Sequence, residues 1–333
     1  MKSIFKKVRV NSSLPILDYV VYENGMFVST NLEYQAEMFN PIAGFPVVQP
    51  TLFQRDWLAL VHKAGKGKFV YADGKINGVD TPKHQFEYAD FPRLSGKSAA
   101  LRGTIEISAR DLRGVQLAAA KKDIRYYLEG VLCDFGKGEA AGSNGHSLHL
   151  ASNLISGGEG VAIVPNAAVD LILAESTPDD LISINLLAGE LPRVKLFIHG
   201  KPAEIYSKTI DGEFPDYHKV IPTDYTGDAR MVVGTQGGLA DLKQYIALVK
   251  CSDKKIRYVG CKFSNNHLGG PANLATQNFT LSGVEGIGFT ASHIADAMKF
   301  IDATTSTFLL SDENSSALIC DGNRTAVVMP LRV

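Results

Sequence analysis

Apolar residues along this chain switch between helical spacing and strict alternation, and the switch recurs three times in the same order. Residues 47–64 (VVQPTLFQRDWLALVHKA) predict a helix, and residues 68–94 that follow are strand-like and end in Phe91-Pro92. Residues 160–177 (GVAIVPNAAVDLILAEST) predict a second helix, and the strand-like run 194–217 ends in Phe214-Pro215. Residues 285–303 (EGIGFTASHIADAMKFIDA) predict a third, before a run that closes the chain through Met329-Pro330. The strand assignments rest on β-branched and aromatic runs bounded by glycine or aspartate turns.

The preceding halves repeat as well. A helix beginning near Ser108 leads to YYLEGVLCDF, and one beginning near Gly238 leads to IRYVGCKFSNN. Each unit therefore reads as strands, helix, strands, helix, strands over roughly 100 residues. The predicted class is α+β with three similar domains, residues 1–98, 99–226 and 227–333. Their boundaries fall in SGKSAALRG and TDYTGDAR, whose small, polar and glycine residues suit linkers. The competing reading is two unrelated α+β domains.

In SARDLRGVQLAAAKKD, Leu112, Val115 and Ala119 fall within about 60° of one another at 100° per residue. Arg110, Arg113 and Lys121 fall opposite, so one face is apolar and the other basic. Lys243 and Lys250 share a face in the related helix of the third unit, and Arg55, His62 and Lys63 are placed to do so in the first.

Composition narrows the classes further. The chain has 333 residues, 45% of them hydrophobic, and a formal net charge of −1. The overall field neither attracts nor repels a polyanion, so a nucleic-acid partner requires cations gathered on one surface. The first residues are basic but lack the apolar stretch of a signal peptide, and no run approaches the ~18 residues of a membrane span. Cys133, Cys251, Cys261 and Cys320 are far apart, which disfavours a zinc site or a disulfide framework and predicts reduced, buried thiols. The expected setting is cytoplasmic.

Enzymatic readings lack residues. Ser95-Gly96-Lys97-Ser98 resembles the end of a phosphate loop, but Phe91 stands where its first glycine belongs. His146 and His149 lie in a strand-like stretch, where a three-residue spacing separates them to opposite faces. Neither a G-x-S-x-G elbow nor an H-E-x-x-H helix occurs.

Several blocks match a known family: LPIL at 14–17 with FVSTNLE at 27–33, RYYLEGVLCDF at 125–135, SNGHSLHL at 143–150, GEFPDYHKVIP at 212–222 and VVMPLRV at 327–333. In family order and spacing, they make the chain resemble the bacterial DNA polymerase III beta subunit, the DNA sliding clamp. The resemblance implies three clamp domains per chain, antiparallel sheets outside, helices lining an inner face, and two chains closed head to tail around duplex DNA. It implies a processivity factor without catalytic residues, cofactor or metal. Its partners would be double-stranded DNA, contacted without sequence preference, and polymerase and clamp-loader subunits bearing short linear motifs.

The physical candidates for phosphate contact are Arg110, Arg113, Lys121, Lys122, Lys243 and Lys250. Tyr126 and Tyr127 match family tyrosines that touch DNA, and Arg125 adjoins them in the same block. The resemblance places a partner-peptide pocket at Leu128, Ser143, Gly145, His146, Ser147, Leu148, Pro215, Lys219, Val220, Ser316, Val327, Met329, Pro330, Leu331 and Arg332. It places the dimer contact at Leu248 and Val249, with Phe86 as counterpart.

The sequence also departs from the family. Ser147 stands where a basic residue is usual, Lys219 where arginine is frequent, and Asn11 near a DNA-proximal arginine. Thirteen residues before LPIL are too few for the family's opening strand and long helix, so five inward helices per chain are expected. These losses motivate the alternative of a clamp-like, peptide-binding adaptor that no longer encircles DNA.

Overall fold

The computed structural model describes residues 14–46, 50–81, 86–94, 99–189, 192–223, 230–253, 256, 258–284, 286–302, 304–310 and 315–331. Residues 1–13, the 95–98 phosphate-loop resemblance and Arg332 lie outside them. Among the described residues there are five α-helices: α1 (Arg55–Ala64), α2 (Ala109–Ala118), α3 (Asn166–Ala174), α4 (Gly238–Ser252) and α5 (Ala291–Ile301).

All three long helical predictions start too early, for one reason. Thr51–Gln54, Val161–Pro165 and Ile287–Thr290 are strands that run straight into α1, α3 and α5. Their β-branched and aromatic residues pair on a sheet before the helical spacing takes over, as in Tyr19–Glu23 against Thr51–Gln54. The helices expected near Ser108 and Gly238 begin at Ala109 and Gly238.

The chain divides into two compact units, residues 1–109 with 155–210 and residues 110–154 with 211–333. The first is built on an antiparallel sheet in the order Ile155–Gly158, Leu101–Ser108, Leu181–Leu187, Arg193–Ile198, Ala203–Lys208, Tyr34–Phe39, Met26–Thr30, Tyr19–Glu23, Thr51–Gln54. Alternation along these strands buries Ile105, Ile107, Ile182, Ile184, Val194 and Leu196. The apolar α3 packs onto Arg193–Ile198 and Ala203–Lys208. In the second unit the order runs Gly130–Asp134, Glu139–Ser143, Ser147–Ala151, Arg324–Val328, Ala317–Asp321, Thr305–Leu310, Arg230–Thr235, Phe279–Ser282. Each sheet thus joins strands from distant parts of the chain, Tyr34–Phe39 to Ala203–Lys208 and Ser147–Ala151 to Arg324–Val328.

The α2 face follows its sequence pattern: Leu112, Val115 and Ala119 are buried and Arg113 is exposed. Two glycines let α2 pack closely. A Cβ on Gly142 would stand 2.2 Å from the Val115 carbonyl oxygen, and one on Gly114 would stand 2.1 Å from Phe300 Cδ2 on α5. Between them the fully buried His149 stacks on Phe300, ring centroids 4.9 Å apart, and its Nδ1 lies 2.7 Å from the Gly114 carbonyl oxygen. Asp111 of α2 accepts a hydrogen bond from Arg324 Nε at 2.6 Å, and Arg324 Nη1 donates to the Ile301 carbonyl at the end of α5.

Two expectations are corrected. The basic stripe on α1 is absent: Arg55 is buried and donates from Nη2 to the Leu17 carbonyl at 2.5 Å, and His62 is buried against Phe69, leaving Lys63 exposed. The thiols are not uniformly inside either, since Cys133 and Cys261 are buried but Cys251 and Cys320 are exposed.

Burial lowers the pKa of both His149 and His293 from 6.5 to about 4. Both imidazoles are neutral in the fold, while the unfolded chain takes up their protons below pH 6.5. Stability is therefore complete above that pH and falls as the pH drops toward 4, by roughly 1.4 kcal/mol per unit and site. Thermal unfolding followed by circular dichroism should show a midpoint that declines from pH 7 to 4.5. A His149→Gln variant should have a lower midpoint at pH 7 and a shallower decline; an equally steep one would contradict this account.

Candidate functional site

The second unit contains a cavity of about 260 Å³. Four stretches wall it: the 3₁₀ turn Tyr126–Leu128 with Arg125, the turn from Ser143 to Leu148, the segment from Phe214 to Val220, and the strand end with Val327 and Met329. Leu128, Leu148 and Val327 are buried and make an apolar floor, while Val220 and Met329 stand half-exposed at the mouth. Met329 is held at its place because its N–H donates to the His146 carbonyl at 2.9 Å. Methionine can reshape itself around different apolar ligands.

Polar groups fix the walls. Tyr217 donates its hydroxyl to Glu139 Oε2 at 2.5 Å, and burial together with that carboxylate raises the phenol's pKa, so it remains a donor. His218 Nε2 lies 3.1 Å from the same oxygen. Opposite, Arg125 pairs with Asp123 through Nε and Nη2 at 3.1 and 2.9 Å, and Nη2 also donates to the Asn144 carbonyl at 3.0 Å. Asp123 raises the guanidinium's pKa, so its charge is permanent. Gly145 is required beside it: its φ is +83° and a Cβ would meet Arg125 Nη1 at 2.6 Å. Asp216 pairs with Lys219 at 3.3 Å, which lowers its pKa.

The structure brings together Leu128, Ser143, Gly145, His146, Ser147, Leu148, Pro215, Val220, Val327 and Met329 from the predicted pocket. Lys219, Ser316, Pro330 and Leu331 do not line it: Lys219 points to solvent beside Asp216, and Leu331 donates its N–H to the Gly288 carbonyl at 2.8 Å. Sequence reasoning missed Phe214, Asp216 and Tyr217, although they flank Pro215 in the matched block. Arg125 and Tyr127, anticipated as DNA contacts, also stand in the pocket wall. Ser147 is buried, its N–H and hydroxyl both directed at Asn144 Oδ1, so the missing basic residue is replaced by a turn bond.

Among the other candidates, Arg113, Lys121, Lys122, Lys243 and Lys250 are exposed, and Tyr126 projects from its turn with 57% exposure. Arg110 reaches Asp302, the left-handed residue that caps α5, at 2.9 Å. α3 contains no lysine or arginine, and Lys299 of α5 pairs with Asp296 at 2.7 Å. Leu248 is exposed, but Val249 is fully buried in the core beneath α4 and cannot meet another chain from there. Phe86 is half-buried, edge-on to Tyr19 at 5.4 Å. His146 lies at the pocket mouth, its ring parallel to that of His293 at 6.2 Å.

The fold defines the class of protein first. The crystal structure of the DNA polymerase sliding clamp from Pseudomonas aeruginosa matches with a TM-score of 0.73 at 23% identity, covering 100% of this chain and 98% of that one. The sliding clamp from Bartonella birtlesii bound to griselimycin gives 0.77 at 20% identity over 100% and 97%. This is the sliding-clamp fold.

Sequence then narrows the class. The beta sliding clamp of Pseudomonas aeruginosa is 29% identical over 294 residues, covering 82% of this chain and 74% of the relative. That of Escherichia coli K12 is 29% identical over 356 residues, covering 96% and 93%. The chain is a divergent homologue of the bacterial beta sliding clamps. No family model matches it.

Removing the hydroxyl that anchors the pocket wall should cost about 1–2 kcal/mol, because Glu139 loses its shortest donor. Urea unfolding of Tyr217→Phe measures this, and an unchanged midpoint would show that the bond contributes nothing.

Proposed function

We propose that this protein is a DNA sliding clamp, a processivity factor that encircles duplex DNA and tethers a polymerase through the pocket described above. The homologues are clamps, and the observation that carries the reading for this chain is the pocket itself: ten residues anticipated from the resemblance converge on one apolar cavity. Its chemistry suits an extended peptide with apolar anchors, because buried apolar side chains floor the cavity and Val220 and Met329 stand at its mouth. Polymerase and clamp-loader subunits would dock there in turn.

Retention on DNA is topological in this reading, so contacts need only be weak, mobile and salt-sensitive. Arg113, Lys121, Lys122, Lys243 and Lys250 supply them, with Tyr126 beside the backbone. The domains are residues 1–98, 99–226 and 227–333, and the protein acts without catalysis in the cytoplasm. Closure takes a homodimer, since a head-to-tail contact that does not close grows into filaments. The terminal strands of both sheets, Thr51–Gln54 and Phe279–Ser282, each pair on one side only among the described strands. Leu248 and Phe86 adjoin the proposed contact.

The second reading is a peptide-binding adaptor that no longer encircles DNA. It is favoured by the sparse cations: none on α3, and Arg110 and Lys299 both held by aspartates.

Clamp loaded on nicked circular DNA should stay bound through gel filtration in high salt and be released when the circle is linearised. Release from both forms alike would favour the adaptor. Met329→Ala should weaken binding of a fluorescein-labelled pentapeptide with leucine and phenylalanine anchors about tenfold, near 1.4 kcal/mol, with unchanged thermal stability. Equal affinities by fluorescence polarisation would remove Met329 from the site.

A further inference from the structure

The local frame that carries the pocket is built twice. At the pocket, Asn144 Oδ1 accepts the His146 and Ser147 N–H groups at 2.8 and 2.9 Å. Ser143 Oγ accepts from Gly145 N at 3.1 Å and donates to the Ser147 carbonyl at 2.9 Å. In the first unit, Asn31 Oδ1 accepts the Glu33 and Tyr34 N–H groups at 3.0 and 2.8 Å. There Thr30 Oγ1 accepts from Leu32 N and donates to the Tyr34 carbonyl, both at 3.1 Å. The copies share the left-handed backbone as well: Gly145 has φ +83° at no steric cost, and Leu32 adopts φ +74° despite its Cβ.

The agreement extends into the paired strands. Met329 N–H donates to the His146 carbonyl at 2.9 Å, and Lys208 N–H donates to the Glu33 carbonyl at 2.9 Å. Leu331 N–H meets the Gly288 carbonyl at 2.8 Å, and Ile210 N–H meets that of Ile163 at 2.9 Å. Leu148 pairs with Val327 in one frame as Gln35 pairs with Tyr206 in the other. Phe214-Pro215 follows one and Phe91-Pro92 precedes the corresponding linker of the other.

Backbone is shared, but the side chains that floor and edge the cavity are not. Leu148, Val327 and Met329 leave an open apolar cavity. Their counterparts are Gln35, Tyr206 and Lys208. Gln35 is fully buried, with Oε1 accepting the Leu94 N–H at 3.0 Å and Nε2 donating to Glu37 at 2.5 Å. Tyr206 packs with Leu94 and Leu187 and donates its hydroxyl to Glu204 at 3.0 Å. Lys208 pairs with Glu33 at 3.0 Å. The segment that stands open at the pocket is sealed here, since Phe91 and Leu94 are buried whereas Phe214 is half-buried and Pro215 exposed.

We propose that these three positions determine which copy of the frame docks a peptide: Leu148, Val327 and Met329 open one to apolar anchors, and Gln35, Tyr206 and Lys208 close the other beneath the chain's own residues 91–94. The proposal rests on the docking reading of the pocket. The first frame is then a latent site for the same class of ligand, an extended peptide with apolar anchors.

Isothermal titration of the full-length protein with the leucine–phenylalanine pentapeptide tests this. The unaltered protein should bind one peptide per chain, and Gln35→Leu/Tyr206→Val/Lys208→Met should bind two, with a cooperative thermal transition showing that it is folded. A folded triple variant that still binds one overturns the proposal. The converse change, Leu148→Gln/Val327→Tyr, places residues already accommodated by the first frame into the second. It should lower affinity at least a hundredfold while the protein stays folded, and wild-type affinity in that variant overturns the proposal independently. Absence of binding by the unaltered protein would strike the docking reading itself and this proposal with it.

Discussion

Backbone pairing between strands far apart in sequence is the interaction on which the rest of this structure depends. Ser147–Ala151 meets Arg324–Val328 in an antiparallel register that sets Leu148 opposite Val327 and Ser147 opposite Val328. Everything at the pocket follows from that register, because a slip of one residue in either strand would put Leu148 and Val327 on opposite faces of the sheet and break the apolar floor. The same kind of joint, Tyr34–Phe39 with Ala203–Lys208, organises the first unit. Closing such long loops costs entropy slowly with length, so the pairing energy of a five-residue ladder and the burial behind it suffice to hold them.

Behind the joint of Ser147–Ala151 with Arg324–Val328, the side chains of α2 and α5 brace the sheet. Glycine at 114 and 142 removes the Cβ atoms that would hold α2 away, and His149 and Phe300 fill the resulting contact. An uncharged imidazole is needed there, which ties this brace to pH. Arg324 adds a charged clamp from the strand to both helices, reaching Asp111 and the Ile301 carbonyl. A pocket whose walls come from a turn, a linker segment and a strand end needs such a rigid support, since none of those pieces holds its shape alone.

Much of the fold and the site was legible in the residues. The order of strands and helices, the buried stripe Leu112, Val115 and Ala119, and most pocket residues emerged from spacing and resemblance. The helix starts did not, because the apolar run of a strand passes without a break into that of a helix in TLFQRDW and VAIVPNAAV, where periodicity alone does not separate them. Arg55 and His62 misled because a helical stripe shows which residues share a face, not whether that face looks at water. Val249 misled because adjacency to the exposed Leu248 says nothing about which side of α4 it occupies.

By itself the sequence determined the local choices: which stretches extend as strands or wind as helices, and where asparagine builds a turn. Tertiary structure alone decided what those pieces do together. Arg125 and Tyr127 became pocket walls, Ser147 became a buried turn residue, and two copies of one hydrogen-bonded frame came to differ, one open and one sealed. The physical reason is that turn and strand geometry depend on neighbours a few residues away, whereas burial and pairing partners depend on segments as much as 213 residues distant, such as those joined by Asp111 and Arg324. Chain-local patterns carry no record of those meetings until the sheet register places them.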